Sequence, residues 1–140
     1  MGSLKAFMLP PVTDETKDII IGKRFVNEKG EPQPFTIRVI SQEVNENLRK
    51  QCARPIKRNG TIIGEDFDSI KFGKLLVIAC TAYPDFRSTE LCDFYKTMDP
   101  LDVPSKMLTA GEYAKLVNAI NEINGFTGDS NDLEEEAKNS

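Results

Sequence analysis

From Leu75 the chain runs Leu75-Leu76-Val77-Ile78-Ala79-Cys80 without a polar side chain. An element with no polar face has no side to turn to water, so this run belongs at the centre of whatever the chain builds. Taken alone, the six residues could form a buried strand. With Phe67 and Ile70 ahead of them, the length of Glu65 to Ala82 predicts a core helix, ended by Tyr83-Pro84. The run is far short of the ~20 apolar residues that span a bilayer. In a chain of 140 residues, 39% apolar and 29% charged, it points to one soluble core. A chain of this length buries roughly two-thirds of its unfolded surface, so no disulfide or metal staple is required.

The last helix carries the fullest set of local signals. Thr109 and Glu112 form a T-x-x-E capping box, Leu108 and Tyr113 are placed for a hydrophobic staple, and Gly125 stands where a C-terminal cap belongs. Tyr113, Leu116, Val117, Ile120 and Ile123 recur on one helical face. Earlier in the chain, isoleucine-rich Lys17–Val26 and alternating Phe35–Ile40 read as two strands of a hairpin about the turn at 27–32. Ser41 caps a helix through about Ala53, which Pro55 stops. Asn59-Gly60 predicts a short second hairpin over 56–63. A short helix follows from about Ser88 to Lys96, and Asp99-Pro100-Leu101-Asp102-Val103-Pro104 reads as an ordered loop or extended connector. The expected fold class is α+β: an N-terminal β-hairpin followed by a mainly helical domain over 18–126, with an arm at 1–17 and a disordered acidic tail at 127–140.

Chemistry is sparse. With no histidine in the chain, imidazole metal sites and the Ser-His and Cys-His nucleophile pairs are excluded. Cys52, Cys80 and Cys92 are odd in number and widely spaced, which argues against a disulfide framework or a zinc site; Cys80 is expected to be a small buried hydrophobe. There is no Gly-rich phosphate loop and no H-E-x-x-H. Glu65, Asp66 and Asp68 lack the glycine and final glutamate of a calcium loop and fit better as the acidic first turn of a helix. Asp99 and Asp102, beside two prolines, read as turn caps. No catalytic residue, metal ligand or cofactor is expected. The N-terminus has no hydrophobic signal core, and Ala6 breaks the myristoylation pattern. A cytoplasmic location is the expectation.

Charge is unevenly placed. The net charge is −4, yet residues 1–126 carry 17 acids and 17 bases, so the whole excess lies in residues 127–140. There Asp129, Asp132, Glu134, Glu135 and Glu136 face one base, Lys138, in a composition too polar to bury itself. One positive cluster stands against it: Arg49, Lys50, Arg54, Lys57 and Arg58, with no acid between them. It reads either as a solvated helix end and loop or as a docking patch for an acidic partner. The neutral body and the lack of aromatics within the cluster disfavour nucleic acid. In the N-terminal arm, Phe7, Met8 and Leu9 need an apolar host, either the chain's own core or a partner protein.

Longer strings carry a family likeness. Leu4-Lys5-Ala6-Phe7-Met8-Leu9, Lys23-Arg24-Phe25, Asn47-Leu48-Arg49-Lys50-Gln51-Cys52, Pro84-Asp85-Phe86, Glu90-Leu91-Cys92, Asp99-Pro100-Leu101-Asp102-Val103-Pro104 and Leu108-x-x-Gly111-Glu112-Tyr113-x-x-Leu116 occur in this order. In order and spacing from the arm to about Phe126, the chain resembles the XkdN-like phage tail assembly chaperone family of Bacillus prophages of the PBSX and skin type. The resemblance implies a non-catalytic protein that binds the tape measure protein, keeps it soluble, helps recruit tail tube protein and leaves before the virion matures. The alternative is a small structural tail or baseplate subunit retained in the particle.

The resemblance also implies two product lengths, made by a −1 ribosomal frameshift near the end of the shorter reading frame. A slippery A-AAA-AAC reads as Lys then Asn, and Lys138-Asn139 is the chain's one Lys-Asn step. The step reads either as such a slip site, with AAA for Lys138 and AAC or AAT for Asn139, or as a chance dipeptide; other codons there discard the slip site.

Overall fold

The computed structural model describes residues 2–12 and 14–126. The expectations for the acidic tail and for Lys138-Asn139 therefore lie outside the described residues. Within them a three-stranded antiparallel sheet is ordered β1-β2-β5, from β1 (Thr16–Ile19), β2 (Phe35–Arg38) and β5 (Thr81–Tyr83). A separate two-stranded sheet pairs β3 (Ala53–Arg58) with β4 (Thr61–Phe67). The α-helices are α1 (Gln42–Cys52), α2 (Ser69–Cys80), α3 (Thr89–Phe94), α4 (Val103–Met107) and α5 (Ala110–Asn124).

The apolar run does form a helix, shorter than expected. Glu65–Phe67 belong to β4, and Thr81–Tyr83 turn into β5. Asp68 sets the start, its carboxylate accepting from the Lys71 amide at 3.0 Å. At the other end Thr81 pairs with Ile37, and its hydroxyl donates to the Val77 carbonyl at 2.7 Å. Glu65 and Asp66 are thus strand residues, and only Asp68 serves the helix terminus.

On β2 the alternation holds: Phe35 and Ile37 are buried, Thr36 and Arg38 half-buried. These inward residues pack with Val77, Ile78, Cys80, Phe86, Val103, Leu116 and Ile120 in the main core. The first strand is shorter than Lys17–Val26. It pairs antiparallel with β2 from Thr16↔Arg38 to Ile19↔Phe35, and residues 20–34 then leave the sheet. The turn at Asn27–Gly30 closes only a Val26–Pro32 bridge, with the Asn27 side chain accepting from the Lys29 and Glu31 amides. Beyond β2, α5 takes over from the ladder. Asn124 Oδ1 accepts from the Ile40 amide at 2.9 Å, and Asn124 Nδ2 donates to the Arg38 carbonyl at 3.3 Å.

Past the first strand, Arg24 is held at the start of α5. Its guanidinium donates to both carboxylate oxygens of Glu112, at 2.9 and 2.7 Å, and to the Met107 carbonyl at 2.6 Å. Glu112 also closes the capping box, accepting from the Thr109 amide while its own amide donates to the Thr109 hydroxyl. Gly22 passes so close that a Cβ there would meet the Glu112 carboxylate. Gly125 ends α5 in the left-handed region at φ 71°, as its position predicts. The connector at 99–104 is helical rather than extended: a 3-10 turn over Pro100–Asp102 leads into α4, with each proline in a first turn, where its missing N–H costs nothing. Asp99 caps that turn, accepting from the Leu101 amide, and Asp102 lies 3.6 Å from Lys74.

Arg24 and the Thr109 amide together hold the Glu112 carboxyl down to about 2, against a usual 4.5. A carboxylate depressed on folding stabilises the native state above its unfolded value, and that contribution is lost as pH falls toward the folded value. Acid titration of the folding equilibrium should therefore show a decline between about pH 4.5 and 2 that is blunted in Glu112→Gln, and Thr109→Ala should cost about 1 kcal/mol at neutral pH in denaturant unfolding.

Candidate interaction surface

The β3–β4 hairpin stands between α1 and α2 as an insertion. Cys52 ends α1, Ala53 begins β3, and the Asp68 amide donates back to the Cys52 carbonyl at 2.9 Å. The ribbon between is longer than the 56–63 predicted, paired from Ala53↔Phe67 to Arg58↔Thr61 with a bulge after Ile56. Its tip is the Asn59-Gly60 turn, with φ of 52° and 78°. Positive φ at both central residues is the geometry that matches the twist of a two-residue hairpin loop. Pro55 is accepted because the ribbon has open edges. Every residue of both strands is exposed, including Ile62 and Ile63 at 62% and 59%.

This ribbon organises the predicted basic cluster. Arg49 lies in the last turn of α1, its guanidinium 4.8 Å from the Phe67 ring centre and 5.5 Å from that of Phe72. Arg54 pairs across the ribbon with Asp66 at 2.8 Å and approaches Asp68 at 4.0 Å. Lys50, Lys57 and Arg58 form no salt bridge among the described residues. The five cations, all exposed, thus separate into two that brace the hairpin base and three that form no salt bridge among the described residues.

The arm does not lie on the chain's own core. Leu4–Phe7 form a 3-10 turn, and Phe7, Met8 and Leu9 are 79%, 66% and 75% exposed. A few residues on, Val12 reaches the rim of a largely apolar groove lined by Val39, Ile40, Val44, Leu48 and Ala79. A second groove is lined by Asn45, Arg49, Phe72, Leu76, Asn121 and Phe126, between α1, α2 and the end of α5. The sequence reading missed the exposed Ile62 and Ile63. Two adjacent isoleucines beside an Asn-Gly turn were the available signal, because neighbouring strand residues cannot both face one core.

The cysteines are free and buried. Burial pushes the Cys80 thiol up to about 11, against the pull of Asn124 and Arg38, so it packs as an apolar side chain. Among the described residues, no group of three or more His, Cys, Asp or Glu could hold a metal ion. No helix among them is long and apolar enough to cross a membrane.

A short fold with exposed apolar and basic extensions has the outline of a binding protein, and comparison with known proteins gives the class. The model of the phage XkdN-like tail assembly chaperone family matches residues 4–138, and this chain belongs to that family. Its relatives include the phage-like element PBSX protein XkdN of Bacillus subtilis strain 168, 42% identical over 96% of this chain and 93% of the relative. The uncharacterized protein YqbN of the same strain is 37% identical over 96% and 92%. A crystal structure of YqbN superposes with a TM-score of 0.72 at 32% identity, covering 91% of this chain and 99% of that one.

Arg49 bridges the hairpin base to the body. Arg49→Ala should speed amide exchange across Ala53–Phe67, consistent with loss of about 0.5–1 kcal/mol of cation–π stabilisation, while β2 and α5 keep their protection. Equal protection in the hairpin of both proteins counts against the brace.

Proposed function

We propose that this tail assembly chaperone works by binding the tape measure protein, keeping it soluble and helping to bring tail tube protein to it. It is non-catalytic, acts in the cytoplasm of the bacterial host and leaves before the virion matures. The observation that carries the reading is the ribbon with its exposed isoleucines, seconded by the exposed Phe7-Met8-Leu9 arm. An isolated two-stranded hairpin is marginal in water, and exposed apolar side chains grouped on extensions mark contact surfaces. A long helical partner exposes apolar faces flanked by charge, and the ribbon can meet such a face on either side, since it exposes isoleucines on both of its faces with Lys57 and Arg58 toward its tip. Arg49 and Arg54 act in this surface by holding the ribbon in place.

Co-expression with the tape measure protein, followed by size-exclusion chromatography, tests the reading. The expected result is a soluble tape measure that co-elutes with this chain. If the tape measure stays insoluble while this chain elutes alone, the partner assignment fails. Purified particles that contain the chain in fixed copy number favour a structural subunit instead. Replacing Lys50, Lys57 and Arg58 by Ser should weaken the complex roughly tenfold, about 1.4 kcal/mol, with an unchanged unfolding midpoint. Unaltered affinity returns these cations to the role of a solvated surface.

A further inference from the structure

We propose that the basic face of α1 and the β3–β4 hairpin is occupied, in the free protein, by the chain's own acidic segment 127–140. The placement of the chain supports this. Phe126 lines the same groove as Arg49, together with Phe72 and Leu76. Arg49 in turn belongs to the adjoining cleft with Lys50, Ala53 and Phe67, so one path leads from the end of α5 across α1 to the hairpin base. Segment 127–140 starts at one end of that path.

Charge and length agree with the placement. Residues 49–68 hold five cations against three carboxylates, and Arg54 is already engaged with Asp66 and Asp68. Glu65 and Asp66 line the cleft together with Lys50, while Lys57 and Arg58 stand further along the ribbon toward the Asn59-Gly60 tip. The acidic segment carries the whole net charge of the protein. At up to ~3.5 Å per residue, Asp129 reaches ~10 Å past Phe126 and Glu134–Glu136 reach ~30 Å. The six residues of β3 span ~20 Å, a length that the reach to Glu134–Glu136 exceeds by ~10 Å. Such a contact requires charge proximity and no folded structure in the segment. The tether supplies a millimolar effective concentration, enough to favour even weak pairing. The inference concerns the isolated chain and holds or fails whatever partner the protein binds.

Zero-length carbodiimide cross-linking of the full chain at low salt, read by mass spectrometry on an equal mixture of light and 15N-labelled protein, tests the contact. The expected products join Asp129, Asp132 or Glu134–Glu136 to Lys50 and Lys57 within one copy, and they disappear in high salt. Products spread evenly over Lys29, Lys96 and the other exposed lysines overturn the proposal, as do products formed only between light and heavy copies. A second measurement uses a labelled synthetic peptide of residues 127–140. The full chain with all five tail carboxylates amidated in sequence (Asp129→Asn, Asp132→Asn, Glu134→Gln, Glu135→Gln, Glu136→Gln) should bind it about tenfold more tightly than the unaltered chain. Adding Lys50→Ser, Lys57→Ser and Arg58→Ser should remove that gain. Equal affinity of the amidated and unaltered chains overturns the proposal.

Discussion

Helix α2 is apolar on opposite sides, and the fold is arranged to bury both. Val77, Ile78 and Cys80 enter the main core against β2, α5 and the loop carrying Phe86. Leu75 joins Leu48 and Cys52 of α1 in a second cluster, with Phe72 and Ala79 packed beside it. Leu76 touches both clusters. The C-terminal half of α2, Leu75–Cys80, has no polar side chain and so must have partners on more than one side. That requirement puts α1 on one flank and the sheet with α5 on the other. The Arg24–Glu112 pair then ties the long β1–β2 connection to the start of α5, at the edge of what α2 has assembled.

How far the sequence revealed this arrangement follows from where a residue's local and global preferences coincide. They coincide in α5, where the capping box, the apolar face and Gly125 all lie at positions the chain uses as predicted. They coincide again at Phe35 and Ile37, whose alternation leaves one way to face the core. They part at the ends of α2. Phe67 and Thr81 are compatible with a helix by composition, and they became strand residues because Ala53 and Ile37, both distant in the chain, were there to pair with them. The prolines at 100 and 104 misled in the opposite sense: proline forbids the middle of a helix and suits its first turn, and only the cap at Asp99 distinguishes the two.

The candidate interaction surface was legible as chemistry and illegible as geometry. The positive cluster and the apolar arm stand out in one dimension. That two of the five cations are committed to Phe67, Phe72 and Asp66 is a property of the hairpin's register, which brings residues 12 apart across a ribbon. Family membership was carried by short strings spread along the body. Several of their residues, including Arg24, Leu48, Phe86, Leu108, Glu112 and Leu116, are here core, cap or clasp residues. The likeness therefore reports chiefly how the body is built.

The closure of the hairpin's base by the Asp68 amide and the Cys52 carbonyl has a consequence for how such a protein can change over time. The two points where the chain leaves and re-enters the body are one hydrogen bond apart, and none of the side chains between them is in either core. A segment anchored in this way can be lengthened, shortened or rewritten at little thermodynamic expense, since loop closure depends only weakly on length. The body and the ribbon can therefore diverge at different rates. One inherited scaffold can acquire a different exposed ribbon by editing fifteen or so contiguous codons, with the rest of the gene untouched.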